Sequence, residues 1–202
     1  MMRRGFPNVS RETSEKLHLL VDLVRKWSPR INLVSKGDLQ NLADRHIHDS
    51  LQLWELRNEG ATWLDIGSGG GFPVLPLAIV ASEKDPALRF TCIESDLRKC
   101  TFLRTAAREI GVPITVISER IEDVAPLATD TISARALADL NTLFGFAERH
   151  LSPDGLAIFP KGENWSKEVE QAQKYWSFTY ETHTSITSSN AKILTCKGIA
   201  RV

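Results

Sequence analysis

Three shortages mark this sequence, and each rules out a class of protein. It holds only 3 cysteines in 202 residues, Cys92, Cys100 and Cys196, odd in number and without a C-x-x-C pair. That spacing excludes a disulfide framework and a zinc-ribbon site, and leaves thiols of the reduced kind found in cytosolic proteins. Charge of one sign is also missing, since 25 Lys and Arg are matched by 25 Asp and Glu. Composition therefore gives no support to a general polyanion binder, and any nucleic-acid surface has to be a local patch. No apolar run approaches the roughly 20 residues that a membrane-spanning helix needs. The N-terminal Met1-Met2-Arg3-Arg4-Gly5-Phe6-Pro7 is basic with no apolar stretch behind it, so it does not read as a secretory signal. The expectation is a cytoplasmic protein, free of membrane and metal.

What is present is the composition of a chain with a core, 42% hydrophobic and 25% charged. Leu17, Leu20, Val21, Val24 and Trp27 recur at helical spacing, with Ser10 or Thr13 as the N-cap and Pro29 as the expected end. Leu39, Leu42, Ala43, His46, Ser50 and Trp54 trace a second stripe, opened by Asp38. Strands then alternate with helices. The strand segments are 62–66, 88–94, 114–117, 129–134 and 155–159, and a polar helix covers 166–174. Two further strands, 177–183 and 192–200, follow one another across a short polar loop. Alternation implies crossover connections and a mostly parallel sheet covered on both faces. The prediction is one α/β domain over 1–202: a helical N-terminal cap (1–58) and a Rossmann-like core (59–202), with a mostly parallel seven-stranded sheet ending in an antiparallel hairpin.

In such sheets ligands bind beyond the carboxyl ends of the strands. The glycine cluster Asp65-Ile66-Gly67-Ser68-Gly69-Gly70-Gly71 stands there, after the first strand. The dinucleotide fingerprint requires a glycine at its sixth position, where the backbone approaches a pyrophosphate. Counting from Gly67, that position is Phe72. A carboxylate at Asp65 would also repel phosphates, but it suits a ligand with an ammonium and a sulfonium, such as S-adenosylmethionine. Glu94, ending the next strand, is placed for ribose hydroxyls, and residues 118–123 would border the adenine. A glycine turn alone is what any tight strand-to-helix connection needs; the order acid, glycines, acid is what points to a ligand.

The methyl acceptor leaves its own marks. Amine methylation usually goes with an Asx-Pro-Pro-aromatic loop after the fourth strand, but that place reads Ile132-Ser133-Ala134-Arg135-Ala136. Pyrimidine C5 methylation needs a cysteine nucleophile, and no cysteine here falls at a suitable loop. An acceptor already nucleophilic at neutral pH remains, of which guanine N7 is one, and Arg135 could bond the adjacent O6 or a phosphate.

The segments Trp27 to Ser35, Arg45-His46-Ile47-His48-Asp49-Ser50, Leu64 to Pro76, Glu119-Arg120-Ile121-Glu122 and Ser133-Ala134-Arg135-Ala136 resemble those of the bacterial small-subunit rRNA guanine-N7 methyltransferases, the glucose-inhibited division protein B family. The resemblance runs from about Trp27 to Gly162. It implies a class I S-adenosylmethionine-dependent methyltransferase that modifies one guanine of 16S rRNA, without a covalent intermediate. Gly67 and Phe72 match the family's cofactor contacts, joined by Asp65, Gly69, Gly71 and Glu94 from the loop reading. Ile121 and Glu122 match its adenine-side contacts. Arg135 matches an arginine at the cofactor and substrate pocket, and Arg120 one that meets RNA. Lys161 matches a position near the cleft and stands with Arg135 as a catalytic candidate. Many members carry proline where Gly70 stands. A small-subunit particle is the expected partner and a monomer the expected state. Arg45, His46, Asp49 and Asn32 are expected to form a polar network holding the cap on the sheet. Arg98, Lys99, Arg104 and Arg108 form either a solvated face or an RNA track. The competing readings are an NAD-dependent oxidoreductase, opposed by Asp65 and Phe72, and a non-catalytic RNA-binding assembly factor.

Overall fold

The computed structural model describes residue 6, residues 8–35 and residues 37–202, with Asp44 described by its backbone only. The basic N-terminal segment, apart from Phe6, lies outside the described residues.

Helix α1 spans Arg11–Ile31. Ser10 caps it, its hydroxyl accepting from the Thr13 amide at 3.1 Å, and the stripe Leu17, Leu20, Val21 and Val24 is buried. Pro29 does not end the helix. A proline in the last turn removes only its own donor, and the chain continues to Ile31. There Asn32 adopts a left-handed conformation (φ 49°) and donates its amide to the Ser28 carbonyl. Asn32 is thus the C-cap of α1, and this, not the polar network expected of it, is its place in the fold.

The second stripe is not one regular helix. Ser35 Oγ donates to the Asp38 carboxylate at 2.6 Å, so Asp38 belongs to a turn and opens no helix. Turns over 37–41 lead to a π-helical segment Ala43–Ile47, then α2 (His48–Leu51) and a 3₁₀ turn at Trp54–Leu56. A π segment widens the spiral and redirects the side chains it carries. Here it carries His46.

The core alternates β1 (Thr62–Ile66), α3 (Val74–Lys84), β2 (Arg89–Ile93), α4 (Leu97–Ile110), β3 (Thr115–Ile117), β4 (Thr129–Ser133), α5 (Leu140–His150), β5 (Leu151–Lys161), α6 (Trp165–Ala172), β6 (Trp176–Thr184) and β7 (Lys192–Arg201). The strands form one seven-stranded sheet in the order β3-β2-β1-β4-β5-β7-β6. All pairings are parallel except β5–β7 and β6–β7. The expected architecture is the observed one. β5 begins earlier than the sequence suggests, at Leu151, because that segment pairs with Thr129 across an irregularity in register.

Two apolar layers flank the sheet. One joins α1 and the cap to α3, α4 and one sheet face, and includes Leu17, Trp54, Trp63, Phe90 and Phe102. The other lies under α5 and α6, around Phe144, Phe159 and Trp176. At the N-terminal end of α1, the Thr13 hydroxyl and the Ser10 amide both donate to Glu83 on α3. The cap is therefore part of one helical layer. The order reverses at β1, which pairs with β2 on one side and β4 on the other, and the register sets Asp65 opposite Ser133. This is the switch point where a ligand crevice is expected.

Candidate active site

β1 delivers Asp65 to the switch point, 1% exposed. Ser133 donates its hydroxyl to Asp65 Oδ1 at 2.7 Å, while Oδ2 is buried and has no hydrogen-bond partner. Burial raises the Asp65 carboxyl from 3.8 to about 6, against the opposing hydroxyls of Ser68 and Ser133 and the charge of Arg135. A buried acceptor left open costs stability, so this atom marks a place for a donor or a cation.

The glycine loop beside it folds back on β2. Gly67 donates its amide to the Ile93 carbonyl at 2.9 Å, and Gly69 donates to Glu94 Oε2 at 2.9 Å. Glu94 Oε1 accepts the Asp96 amide at 2.8 Å. Glu94, expected at a ribose, therefore first pins the loop to the start of α4, with each carboxylate oxygen keeping spare acceptor capacity. Gly67 is required by conformation and by space. Its φ is +64°, and a Cβ there would lie 2.5 Å from Leu137 Cδ1. Gly70 meets the cap, since a Cβ there would lie 2.8 Å from the Leu33 carbonyl oxygen. Phe72 is buried, its ring against His46 at 5.0 Å and beneath the Arg135 guanidinium at 5.3 Å. Its side chain thus forms the floor under those polar groups.

Arg135 follows β4, its side chain 18% exposed. Its guanidinium donates to His46 Nδ1 and to Asp49 Oδ2 at 3.5 Å. Arginine has no acceptor, so Nδ1 must be the lone-pair nitrogen and Nε2 carries the proton. Nε2 is 3.7 Å from Asp38 Oδ2. Burial and the facing Arg135 lower His46 from 6.5 to about 4, leaving it neutral at ordinary pH. Asp49 Oδ1 accepts from Gln52 at 2.7 Å and from Thr187 at 2.9 Å. Asp49 so ties α2, Arg135 and the β6–β7 loop at one point. The expected network of Arg45, His46 and Asp49 exists, with Arg45 bound to Asp38 at 2.9 Å.

These groups line a cleft of about 490 Å³, whose wall includes Asp49, Arg135, Lys161, Thr187 and Lys192. Lys161 lines it, but its ammonium donates to the Ala138 carbonyl at 2.8 Å and to Glu168 at 2.7 Å. Glu168 also accepts the Leu140 amide at 2.8 Å. Lys161, the second catalytic candidate, is here the residue that secures the loop carrying Arg135.

The remaining candidates lie apart from that cleft. Ile121 is buried, and its carbonyl accepts from His150 Nε2 at 3.2 Å. Arg120 and Glu122 pair with each other on the surface at 2.6 Å. In the basic face of α4, Arg104 donates to the Val116 carbonyl and the Ser118 hydroxyl, and Arg98 pairs with Asp96. Two of the four cations on that face are thus engaged within the molecule. Cys92, Cys100 and Cys196 are buried and in no disulfide, and the Cys100 thiol donates to the Glu94 carbonyl at 3.0 Å. Among the described residues no cluster of three or more His, Cys, Asp or Glu could hold a metal, and no helix is long and apolar enough to cross a membrane. The sequence reading missed Ser133, Leu137 and Glu168 as site-building residues. Ser133 was visible within its motif; the others gave no local signal, because their partners are distant in the chain.

A seven-stranded sheet with this order, a hairpin edge and an acid-led glycine loop at the switch point defines a class I S-adenosylmethionine-dependent methyltransferase. Solved structures share the fold. The structure of M. jannaschii TYW2 in complex with AdoMet matches with a TM-score of 0.57 at 13% identity, over 84% of this chain and 78% of that one. A fibrillarin/Nop5p complex matches with a TM-score of 0.57 at 13% identity, over 78% of this chain and 83% of the other. The family model for rRNA small subunit methyltransferase G matches residues 13–196. Proteins named ribosomal RNA small subunit methyltransferase G are similar along nearly the whole length. The one from Ruegeria pomeroyi is 55% identical, over 96% of both chains. That from Cereibacter sphaeroides is 49% identical, over 96% of this chain and 94% of the relative. The chain belongs to the rRNA small subunit methyltransferase G family.

Proposed function

We propose that this enzyme methylates N7 of a single guanine in 16S rRNA, held within a small-subunit particle, with S-adenosylmethionine as donor. The observation that carries the reading is the unpartnered Asp65 Oδ2 beside the glycine loop, next to a cleft lined by Arg135. The residues fit the donor. A buried carboxylate suits its ammonium, the left-handed turn at Gly67 lets the chain double back beside it, and Glu94 has acceptor capacity for ribose hydroxyls. When bound, the donor supplies an electrophilic methyl on a sulfonium.

The polar groups of the cleft are committed to one another. His46 Nδ1 receives Arg135, and Asp49 accepts from Arg135 and Thr187, so both are engaged in holding the cleft together. Guanine N7 carries no proton, so its methylation requires alignment of the lone pair and not deprotonation. Alignment of that kind can contribute about 7–11 kcal/mol. Arg135 would orient the base through O6 or an adjacent phosphate, while Asp49 and Lys161 hold that arginine and its loop. Ile121 and Glu122 would border the adenine, and Arg120, on the surface beside them, would meet RNA. The chain has no net charge, so phosphate contacts alone give little affinity, and a folded particle should be a better substrate than naked rRNA. A monomer in the cytoplasm suffices for this activity.

The test is transfer of tritiated methyl from S-adenosylmethionine to small-subunit particles lacking the modification. The label is then mapped by borohydride and aniline cleavage, which reports N7-methylguanine. Label at one guanine, faster on particles than on free rRNA, is the expected result. Label on an exocyclic amine or on a pyrimidine would overturn the reading.

A further inference from the structure

We infer that Trp63 and Ser133 are positioning residues that decide which oxygen of Asp65 is open to the ligand, and thereby couple cofactor binding to release of one proton. This rests on the cofactor reading of the Asp65 site given above.

The inference begins with donors and acceptors. Trp63 Nε1 lies 2.9 Å from Ser133 Oγ, and Ser133 Oγ lies 2.7 Å from Asp65 Oδ1. An indole nitrogen only donates, so the serine oxygen must accept from it. A serine hydroxyl has a single proton, and that proton then points at Asp65 Oδ1. The direction of the chain is fixed from Trp63 through Ser133 to Asp65. All three residues are buried, at 1%, 0% and 1% exposure, so water does not compete for these bonds.

The consequence falls on the other oxygen. Oδ1 is held as an acceptor, so when the carboxyl is neutral its proton resides on Oδ2, the buried atom with no partner. A cationic ligand group approaching Oδ2 must displace that proton to solvent. The groups facing Asp65 act in both directions. The burial itself and Glu94, just after β2, favour the neutral acid, while the hydroxyls of Ser68 and Ser133 and Arg135 after β4 favour the carboxylate. Cys92, the Asp65 neighbour on β2 in the sheet register, is a thiol that stays protonated, pushed upward by burial and by Asp65 itself. It adds no charge. The pair of strands is what makes the device possible: parallel register sets Asp65 beside Ser133 and Trp63 beside Thr131, so the indole reaches along one face to the serine.

Isothermal titration calorimetry of S-adenosylmethionine into the full chain, in buffers of different ionisation enthalpy from pH 5 to 8, reads the proton count directly. The unaltered chain is expected to bind more tightly as pH rises through about 6, releasing close to one proton at the acid end and little at pH 8. Ser133→Ala removes a hydrogen bond to the charged form. It should move the midpoint upward, weaken binding at pH 7 roughly tenfold and make proton release measurable there. Trp63→Phe frees the serine to rotate and should shift the midpoint the same way by less. Methylthioadenosine, which lacks the ammonium, should bind without proton release. Circular dichroism establishes that each variant is folded. A pH-independent affinity in the unaltered chain, or a midpoint unmoved in both folded variants, would overturn the inference. Failure of the unaltered chain to bind S-adenosylmethionine at any pH would instead remove the cofactor reading beneath it.

Discussion

Arg135 donates to Nδ1 of His46 across 89 residues of sequence, and that contact joins the loop after β4 to the N-terminal cap. It also holds the guanidinium at the wall of the cleft. Because Arg135 is buried mostly against polar partners and not in the apolar core, its loss should affect turnover more than folding. Arg135→Ala is expected to lower kcat/KM on ribosomal particles by roughly 100-fold or more, the scale seen when a positioned electrostatic contact is lost. The melting temperature should change little. Unchanged methylation by a folded variant would remove Arg135 from the site.

The same contact makes a prediction in acid. His46 lies at about 4 in the folded protein against 6.5 unfolded. A depressed value contributes stability that is present above the unfolded value and lost as pH falls through the folded one. His46→Gln keeps an acceptor for Arg135 but cannot titrate. The difference in stability between parent and variant should therefore change as pH falls from 6.5 to 4 and be constant at neutral pH, as read by urea denaturation. A constant difference throughout would refute the assignment.

Asp65 has the opposite sign. Its folded value of about 6 lies above the unfolded 3.8, so its contribution is present below the unfolded value and lost as pH rises through about 6. At pH 7 the buried carboxylate opposes folding. Asp65→Asn is expected to stabilise the cofactor-free protein by about 1–3 kcal/mol at pH 7, and to abolish binding of S-adenosylmethionine. Calorimetric scans and titrations on one preparation check both halves; an Asn variant that is less stable yet binds normally would contradict the account.

Gly67 and Leu137 form a close pair. A side chain at 67 meets both a left-handed backbone and Leu137, so Gly67→Ala should destabilise by about 2–4 kcal/mol. Leu137→Ala in that background should restore about half, because it relieves the collision and leaves the backbone strain. A double-mutant cycle without coupling would show that the loop and the leucine do not touch.

Lys161 can be separated from the chemistry by its partner. Lys161→Met leaves Glu168 with an unbalanced charge and should cost about 1–2 kcal/mol, discounted for the partial exposure of Glu168. Removing that charge too, as Lys161→Met with Glu168→Gln, keeps an acceptor for the Leu140 amide and should recover stability and most activity. A stable double variant with no turnover would return Lys161 to the reacting atoms.

The architecture could be read from the chain because its signals are local. Apolar periodicity, the glycines after β1 and the polar loop before β7 each act over a few residues, and these are the distances over which sequence patterns carry physical meaning. Asp65 and Gly67 stood out for the same reason, as they belong to one turn. The exceptions arose where tertiary contacts overrule local preference. Pro29 sits inside α1 because the helix has its stop at Asn32, and the second stripe bends into a π segment around the polar groups it must present.

By itself, then, the sequence determined the strand and helix order and the acid-led turn. Only the tertiary structure decided which groups are free to act. It gave Lys161 to Glu168, Arg104 to the end of β3 and His46 to Arg135, and it left Oδ2 of Asp65 open. The physical reason is that a polar side chain's availability depends on the partners that burial forces on it, and those partners come from strands and loops far away along the chain.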